Sequence, residues 1–247
     1  MRYWERLVQL GTKYAQLPVV ADQVTAVTAG RDAIIARTLP AHQLPHLGLD
    51  LTTIAMAGTV PDGKIEELIA LDHMLGNFRW YIAYHYGVWA YITQELIQTW
   101  TQLYPNRRYL EVAAGNGLMS YGLRQAGATV ICTDALTWID ENGTGKTPWT
   151  PVEQATSTSA LWEYGDQVDA VIMAWSPDRD PSDAHLLETI RQHFPQLELF
   201  VIGDRFGITN SRLFWRKARM VPDKKLLKLN QAFRKFDAVG DRIYLMH

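Results

Sequence analysis

Residues 109–117 read Tyr-Leu-Glu-Val-Ala-Ala-Gly-Asn-Gly, an apolar run that ends on four of the smallest side chains and one Asn. The run reads as a buried strand over 109–113, and the small residues read as a tight turn into a helix over 117–125. Such a turn presents unpaired N–H groups and partial positive charge at the helix N-terminus, and glycines let a ligand approach the backbone. Gly127 follows as the helix stop, a second strand covers 128–133, and Asp134 stands at its end. A carboxylate there is placed to accept hydrogen bonds from both hydroxyls of a ribose. Glu111 is the anomaly, a carboxylate inside the apolar run.

Downstream, short apolar runs alternate with helical ones: a strand near Val152, a strand over 168–174, a helix over 182–193 and a strand over 198–202. That alternation predicts βαβ units around a parallel sheet. Two strand-like runs flank Gly240-Asp241, which predicts a closing β-hairpin. Upstream the signals are helical. Tyr3, Leu7, Leu10 and Tyr14 recur at helical spacing up to Pro18, a second helix is expected over 21–38, and a third over 91–103. Asp62 reads as the N-cap of another helix, with Glu66 and Glu67 in its first turn. The expected fold class is α/β, a doubly wound, mostly parallel sheet ending in an antiparallel hairpin strand, with an N-terminal helical segment. Residues 1–88 are expected to form a helical cap or lid, and residues 89–247 the nucleotide-binding domain.

The 247 residues are 47% hydrophobic and 20% charged, the profile of a globular protein, and a net charge of −2 argues against a general nucleic-acid or membrane binder. Charge is uneven. From Arg205 onward there are eleven Lys/Arg against three Asp, which reads as a solvated helix face, with contact to an anionic substrate as the alternative. Cys132 is the single cysteine, which suits a reducing cytosol. Glu5 and Arg6 interrupt the N-terminal apolar residues, and no stretch has the roughly 18 apolar residues of a membrane span, so the expected location is cytoplasmic. His42 and His46 are separated by a helix-breaking Pro45, and no metal site is expected. Asp180-Pro181 reads as a helix start, with Asp178 kept as a polar group for a site.

Two cofactor classes use a glycine turn of this kind. A dinucleotide loop would take Gly115 and Gly117 as its first two glycines, with Ser120 in the place of the third. The stretch E-V-A-A-G-N-G followed by Asp134 more closely resembles the first motif of the class I S-adenosylmethionine-dependent methyltransferases, and the resemblance covers roughly residues 85–247. It implies that Glu111 faces the methionine part of S-adenosylmethionine, that Ala113, Gly115, Asn116 and Gly117 line the cofactor, and that Asp134 holds the ribose. Ala113 departs from the family, which has glycine there; its methyl group is tolerable at negative φ. By the same resemblance Gln154, Ala155 and Thr156 are adenine-pocket candidates, and Ala174, Trp175 and Ser176 emerge beside the transferable methyl. Amino-methylating members carry Pro-Pro-aromatic after this point, whereas Pro177 is followed by Asp178 and Arg179.

The run Phe78–Tyr91 holds seven aromatic residues and His85. Phe78 and Trp80 are expected in the core, and Tyr84, His85, Tyr86 or Tyr91 are the candidates to reach the pocket. His85 is the candidate base, with Ser176 and Asp178 as further candidate catalytic groups. The implied function is methyl transfer to a small-molecule O or N acceptor by in-line displacement. A cofactor-binding relative without catalysis, and an enzyme acting on RNA or protein, are the alternatives.

Overall fold

A computed structural model describes residues 2–140 and 143–247; Met1, Glu141 and Asn142 lie outside the described residues. Helices come first: α1 (Tyr3–Lys13), α2 (Pro18–Ile35), α3 (Leu51–Ala55), α4 (Ile65–Gly76) and α5 (Phe78–Tyr86). Leu7, Leu10 and Tyr14 are buried on one stripe, as their spacing requires. Pro18 opens α2 instead of closing α1, because its fixed φ suits a first helical turn. Asp62 is not an N-cap. It lies at φ 53° in the preceding turn and Lys64 takes the cap position, while Glu66 and Glu67 do fall in the first turn.

Next comes α6 (Gln94–Leu103), which starts later than its apolar pattern predicts because Thr93 is extended and caps it, accepting from the Leu96 N–H at 3.2 Å. The alternating part follows as β1 (Arg108–Val112), α7 (Leu118–Gln125), β2 (Thr129–Asp134), β3 (Glu153–Gln154), α8 (Ser157–Tyr164), β4 (Ala170–Ala174), α9 (Ser182–His193), β5 (Glu198–Gly203), α10 (Arg212–Lys217), α11 (Lys224–Gln231) and β6 (Arg242–Met246). Helix α8 was not foreseen; its residues follow the Thr156 cap without a clear apolar stripe.

The six strands lie in the order β3-β2-β1-β4-β5-β6, the first five parallel and β6 antiparallel to β5. Strand direction of travel reverses between β1 and β4, which opens a crevice at the carboxyl ends of the strands. The closing strand is antiparallel as expected, but it is not half of a hairpin. Residues 236–239 form no strand, because Phe236 is buried and Asp237 is turned inward to Arg79. Strand β6 instead pairs on its outer side with residues 219–221, where the Arg219 N–H donates to the His247 carbonyl at 2.7 Å and the Val221 N–H to the Leu245 carbonyl at 2.8 Å.

Alternate residues of the strands face opposite layers. Tyr109, Ile172, Phe200 and Ile243 join Trp100 and the N-terminal helices in one apolar cluster. Leu110, Val171, Leu199 and Met246 pack with α8, α9 and α10 in a second. Both faces of the sheet are therefore covered, as a parallel sheet requires. Among the described residues no helix is long and apolar enough to cross a membrane.

Candidate functional site

A cavity of about 510 Å³ lies at the carboxyl ends of β1, β2 and β4, with α5 forming its far side. The turn after β1 forms its floor. Ala113 adopts φ 50°, so its methyl group is not at the negative φ that would make it harmless. A side chain in this left-handed region costs about 1–2 kcal/mol. Gly117 has φ 70°, and a Cβ there would lie 3.0 Å from the Cys132 sulfur, so conformation and space both demand glycine. Leu136 and Trp175, just past the ends of β2 and β4, also have φ 56°. Two of these three strained residues, Ala113 and Trp175, line the cavity, and Leu136 lies between the lining residues Ala135 and Thr137; strain of this kind clusters at functional sites.

Glu111 is 2% exposed, and one of its oxygens accepts from both the backbone N–H of Ser120, at 2.8 Å, and its hydroxyl. Ser120 is the third residue of α7, so the carboxylate caps that helix from the neighbouring strand. The N-terminus of this helix is where a pyrophosphate would bind in a dinucleotide fold, and here the chain's own carboxylate takes up its positive end. Burial pushes the Glu111 carboxyl up to about 7, against the pull of the Ser120 bonds and with the nearby Asp134 charge adding to the rise.

Asp134 bridges two turns: one oxygen accepts from the Gly115 N–H at 2.7 Å and the other from the Leu136 N–H at 2.6 Å. Each oxygen can accept a further bond. Asn116 is a clasp. Its amide donates to the carbonyls of Tyr86 and Gly143, each at 3.0 Å, and accepts from the Gly145 N–H at 2.7 Å, which ties both its N–H donors and one acceptor site into the chain.

Of the three expected adenine-pocket residues, Thr156 lines the cavity. Gln154 is exposed on the edge strand, and Ala155 donates its N–H to the Asp134 carbonyl at 2.9 Å and packs into the apolar cluster under the sheet. Neither lines the cavity. Ala174, Trp175, Ser176 and Asp178 all line it, joined by Asp180. His85 does not. It is exposed, with its ring 4.8 Å from that of Tyr81, which removes it from the candidate bases. Tyr86 hydrogen-bonds Tyr81 at 3.3 Å and Tyr91 packs in the core against Phe236.

Tyr84 reaches the cavity as expected, and so does Trp80, which the sequence reading had placed in the core beside Phe78. Positions 80 and 84 share one helix face, whereas Phe78 and Ile82 share the buried one. Trp89, which sequence reasoning did not single out, completes a wall with Trp175. Ring centroids are 6.4 Å apart for Trp80–Trp89, 6.5 Å for Trp80–Trp175, 6.1 Å for Trp89–Trp175 and 5.6 Å for Tyr84–Trp89. Behind this wall Arg79, fully buried, forms ion pairs with Asp237 at 2.6 Å and Asp241 at 3.0 Å, and Asp241 accepts from the Trp175 indole N–H at 3.2 Å. The charged residues that line the cavity are Glu111, Asp134, Asp178 and Asp180; among the described lining residues there is no Lys, Arg or His.

No protein-family model matches the chain, and no curated protein matches it in sequence. Solved structures with a similar fold include a candidate tRNA methyltransferase of Streptococcus pneumoniae, at 16% identity over 63% of this chain and 69% of that one, TM-score 0.37. MtNAS in complex with S-adenosylmethionine is 11% identical over 100% of this chain and 98% of that one, TM-score 0.35. The S-adenosylmethionine-dependent methyltransferase SibL in its apo form is 13% identical over 96% and 69%, TM-score 0.35. At such identities and TM-scores these are distant likenesses, and the chemistry of those proteins does not pass to this chain by them. By its own strand order, covered faces and crevice, the chain is a doubly wound, Rossmann-like α/β protein.

Proposed function

We propose that the cavity binds S-adenosylmethionine and that the protein transfers its methyl group to a small-molecule acceptor. One observation carries the choice of cofactor: the N-terminus of α7 is already capped by Glu111, inside a cavity whose charged lining is entirely acidic. A pyrophosphate would find one N–H of that turn already taken by Glu111 and four carboxylates around it. A ligand carrying an ammonium and a sulfonium, and no phosphate, suits the same lining. In this reading Glu111 faces the ammonium of the methionine part, the turn Ala113–Gly117 lies under the cofactor, Asp134 accepts from the ribose, and Thr156 stands at the adenine. Bound there, the cofactor supplies an electrophilic methyl, which an acceptor lone pair takes in line while the S–CH3 bonding pair stays on sulfur.

The chain's own part is positioning and exclusion of water. Trp80, Tyr84 and the Gly87-Val88 turn cover the cavity from the helical side, so residues 1–88 act as the cap of the site. The acidic lining counts against an acceptor that brings phosphates, RNA included. A cofactor-binding protein without catalysis is the second reading, favoured by the loss of His85 as a base and by the half-complete motif after Pro177. Calorimetry with S-adenosylmethionine, S-adenosylhomocysteine and NAD tests the proposal. Heat from the first two alone is expected; heat from neither would sink it.

A further inference from the structure

The lining of the cavity divides at β1. On the β2 and β3 side stand Asp134 and Thr156, which the cofactor reading uses. On the β4 side stand Trp80, Tyr84, Trp89 and Trp175 with Asp178 and Asp180, to which it gives no part beyond cover. We propose that this second half binds a small organic cation, an amine in its ammonium form or an alkylammonium, and that the amine is the methyl acceptor. The acceptor role rests on the cofactor reading above; the cation site rests on the wall itself.

The faces of aromatic rings carry negative potential and attract a cation lying within about 6 Å of the ring centroid. The four rings are linked by centroid separations of 5.6–6.5 Å, so a cation set against the wall lies within reach of more than one of them. The polar edges of two indoles are tied into the chain: the Trp89 N–H donates to the Thr144 hydroxyl at 2.9 Å and the Trp175 N–H to Asp241. What these two offer the cavity is ring surface, not donors. Asp178 and Asp180 add negative charge on the same side, no basic side chain is among the described lining residues, and Arg79, whose guanidinium lies 4.8 Å from the Trp175 ring centroid, has its charge answered by Asp237 and Asp241. An anionic acceptor would meet four carboxylates and, among the described lining residues, no basic side chain. Tyr84 is 56% exposed, so the wall continues to the molecular surface and gives a path of entry.

The bound ammonium first gives one proton to water; the nitrogen lone pair of the neutral amine then forms the new N–CH3 bond as the S–CH3 pair stays on sulfur. The positive charge passes from sulfonium to nitrogen. A primary, secondary or tertiary amine thus leaves the step as an alkylated ammonium. The product is therefore a cation that the same wall can hold.

The test uses the full chain, with calorimetry of choline and of its neutral carbon isostere 3,3-dimethylbutan-1-ol, each with and without saturating S-adenosylhomocysteine. Choline is expected to bind at least about tenfold more tightly than the isostere, and Trp80→Leu and Tyr84→Leu to reduce that preference severalfold. If S-adenosylhomocysteine binds but choline and the isostere bind alike, or if both variants keep the wild-type preference, the cation site is overturned while the cofactor reading stands. If choline shows the preference and neither S-adenosylmethionine nor S-adenosylhomocysteine gives heat, the acceptor role falls together with the cofactor reading.

Discussion

Replacing Arg79 by Met removes the single cation from a buried group of three charges. The guanidinium is fully buried, Asp237 is 5% exposed and Asp241 2%. It donates to Asp237 at 2.6 and 3.0 Å and to Asp241 at 3.0 and 3.3 Å, and also reaches the Trp89 carbonyl at 3.3 Å. Without it two carboxylates stay buried, softened among the described residues by the Val239 N–H on Asp237 and the Trp175 indole on Asp241. Loss of one partner from a buried pair costs about 3–5 kcal/mol, and for a chain of this size that corresponds to a melting temperature lower by roughly 6–20 °C. The deficit should depend on pH. Burial already holds Asp241 above the ordinary carboxyl range against the pull of Arg79, and removing that pull raises it further. A folded pKa above the unfolded value means that the folded variant holds the extra proton, so its stability falls as pH rises and recovers toward acid. Urea unfolding of variant and wild type at pH 5 and pH 8 measures this. A deficit below about 1 kcal/mol at pH 8, or the same deficit at both pH values, would refute the assignment of this network as the clasp between α5 and the loop before β6.

Glu111→Gln should change the pH profile in a defined direction. The folded carboxyl is held near 7 and the unfolded one near 4.5, so wild-type stability falls by up to about 3 kcal/mol as pH rises through that window, and the variant lacks this slope; parallel unfolding profiles would contradict it. Ala113→Gly relieves the strain at φ 50° but adds freedom to the unfolded chain, so a gain of up to about 1 kcal/mol is expected by denaturant unfolding, and a clear loss would mean the methyl packs usefully. Gly117→Ala should lower stability by at least about 1–2 kcal/mol, since it combines left-handed backbone with the Cys132 sulfur in its path. Asp134→Ala leaves the Gly115 and Leu136 N–H groups without their acceptor, and S-adenosylhomocysteine affinity should drop at least about tenfold; unchanged affinity would remove Asp134 from the ribose role.

Much of this was legible in the residues because the signals are local. A strand that breaks into Ala-Ala-Gly-Asn-Gly, a helix stopped by Gly127 and an acid at the end of the next strand place Glu111, Gly115 and Asp134 at one cavity wherever the sheet is parallel; Gly117, also expected there, does not line it. The alternation of short apolar runs and helices sets the layers, since each strand of such a sheet has to be buried on both faces. Side-chain direction within the aromatic run was harder to read. Spacing puts Trp80 and Tyr84 on one helix face, yet which face meets the sheet and which meets the cavity depends on how α5 packs, and His85 turns outward for the same reason. The sign of φ at Ala113 is likewise a product of the turn's closure onto β2, not of alanine's own preference.

The local sequence by itself determined the elements, the glycine turn and the acids beside it, because propensity, capping and burial act over a few residues. Contacts distant in sequence decided the rest. Arg79 meets Asp237 and Asp241 from more than 150 residues away, and that buried charge group keeps 236–239 from becoming a hairpin strand while it holds Trp175. Only the folded chain brings Trp80, Trp89 and Trp175 to one wall, since no periodicity links α5 to the end of β4 and only packing sets the distance between them.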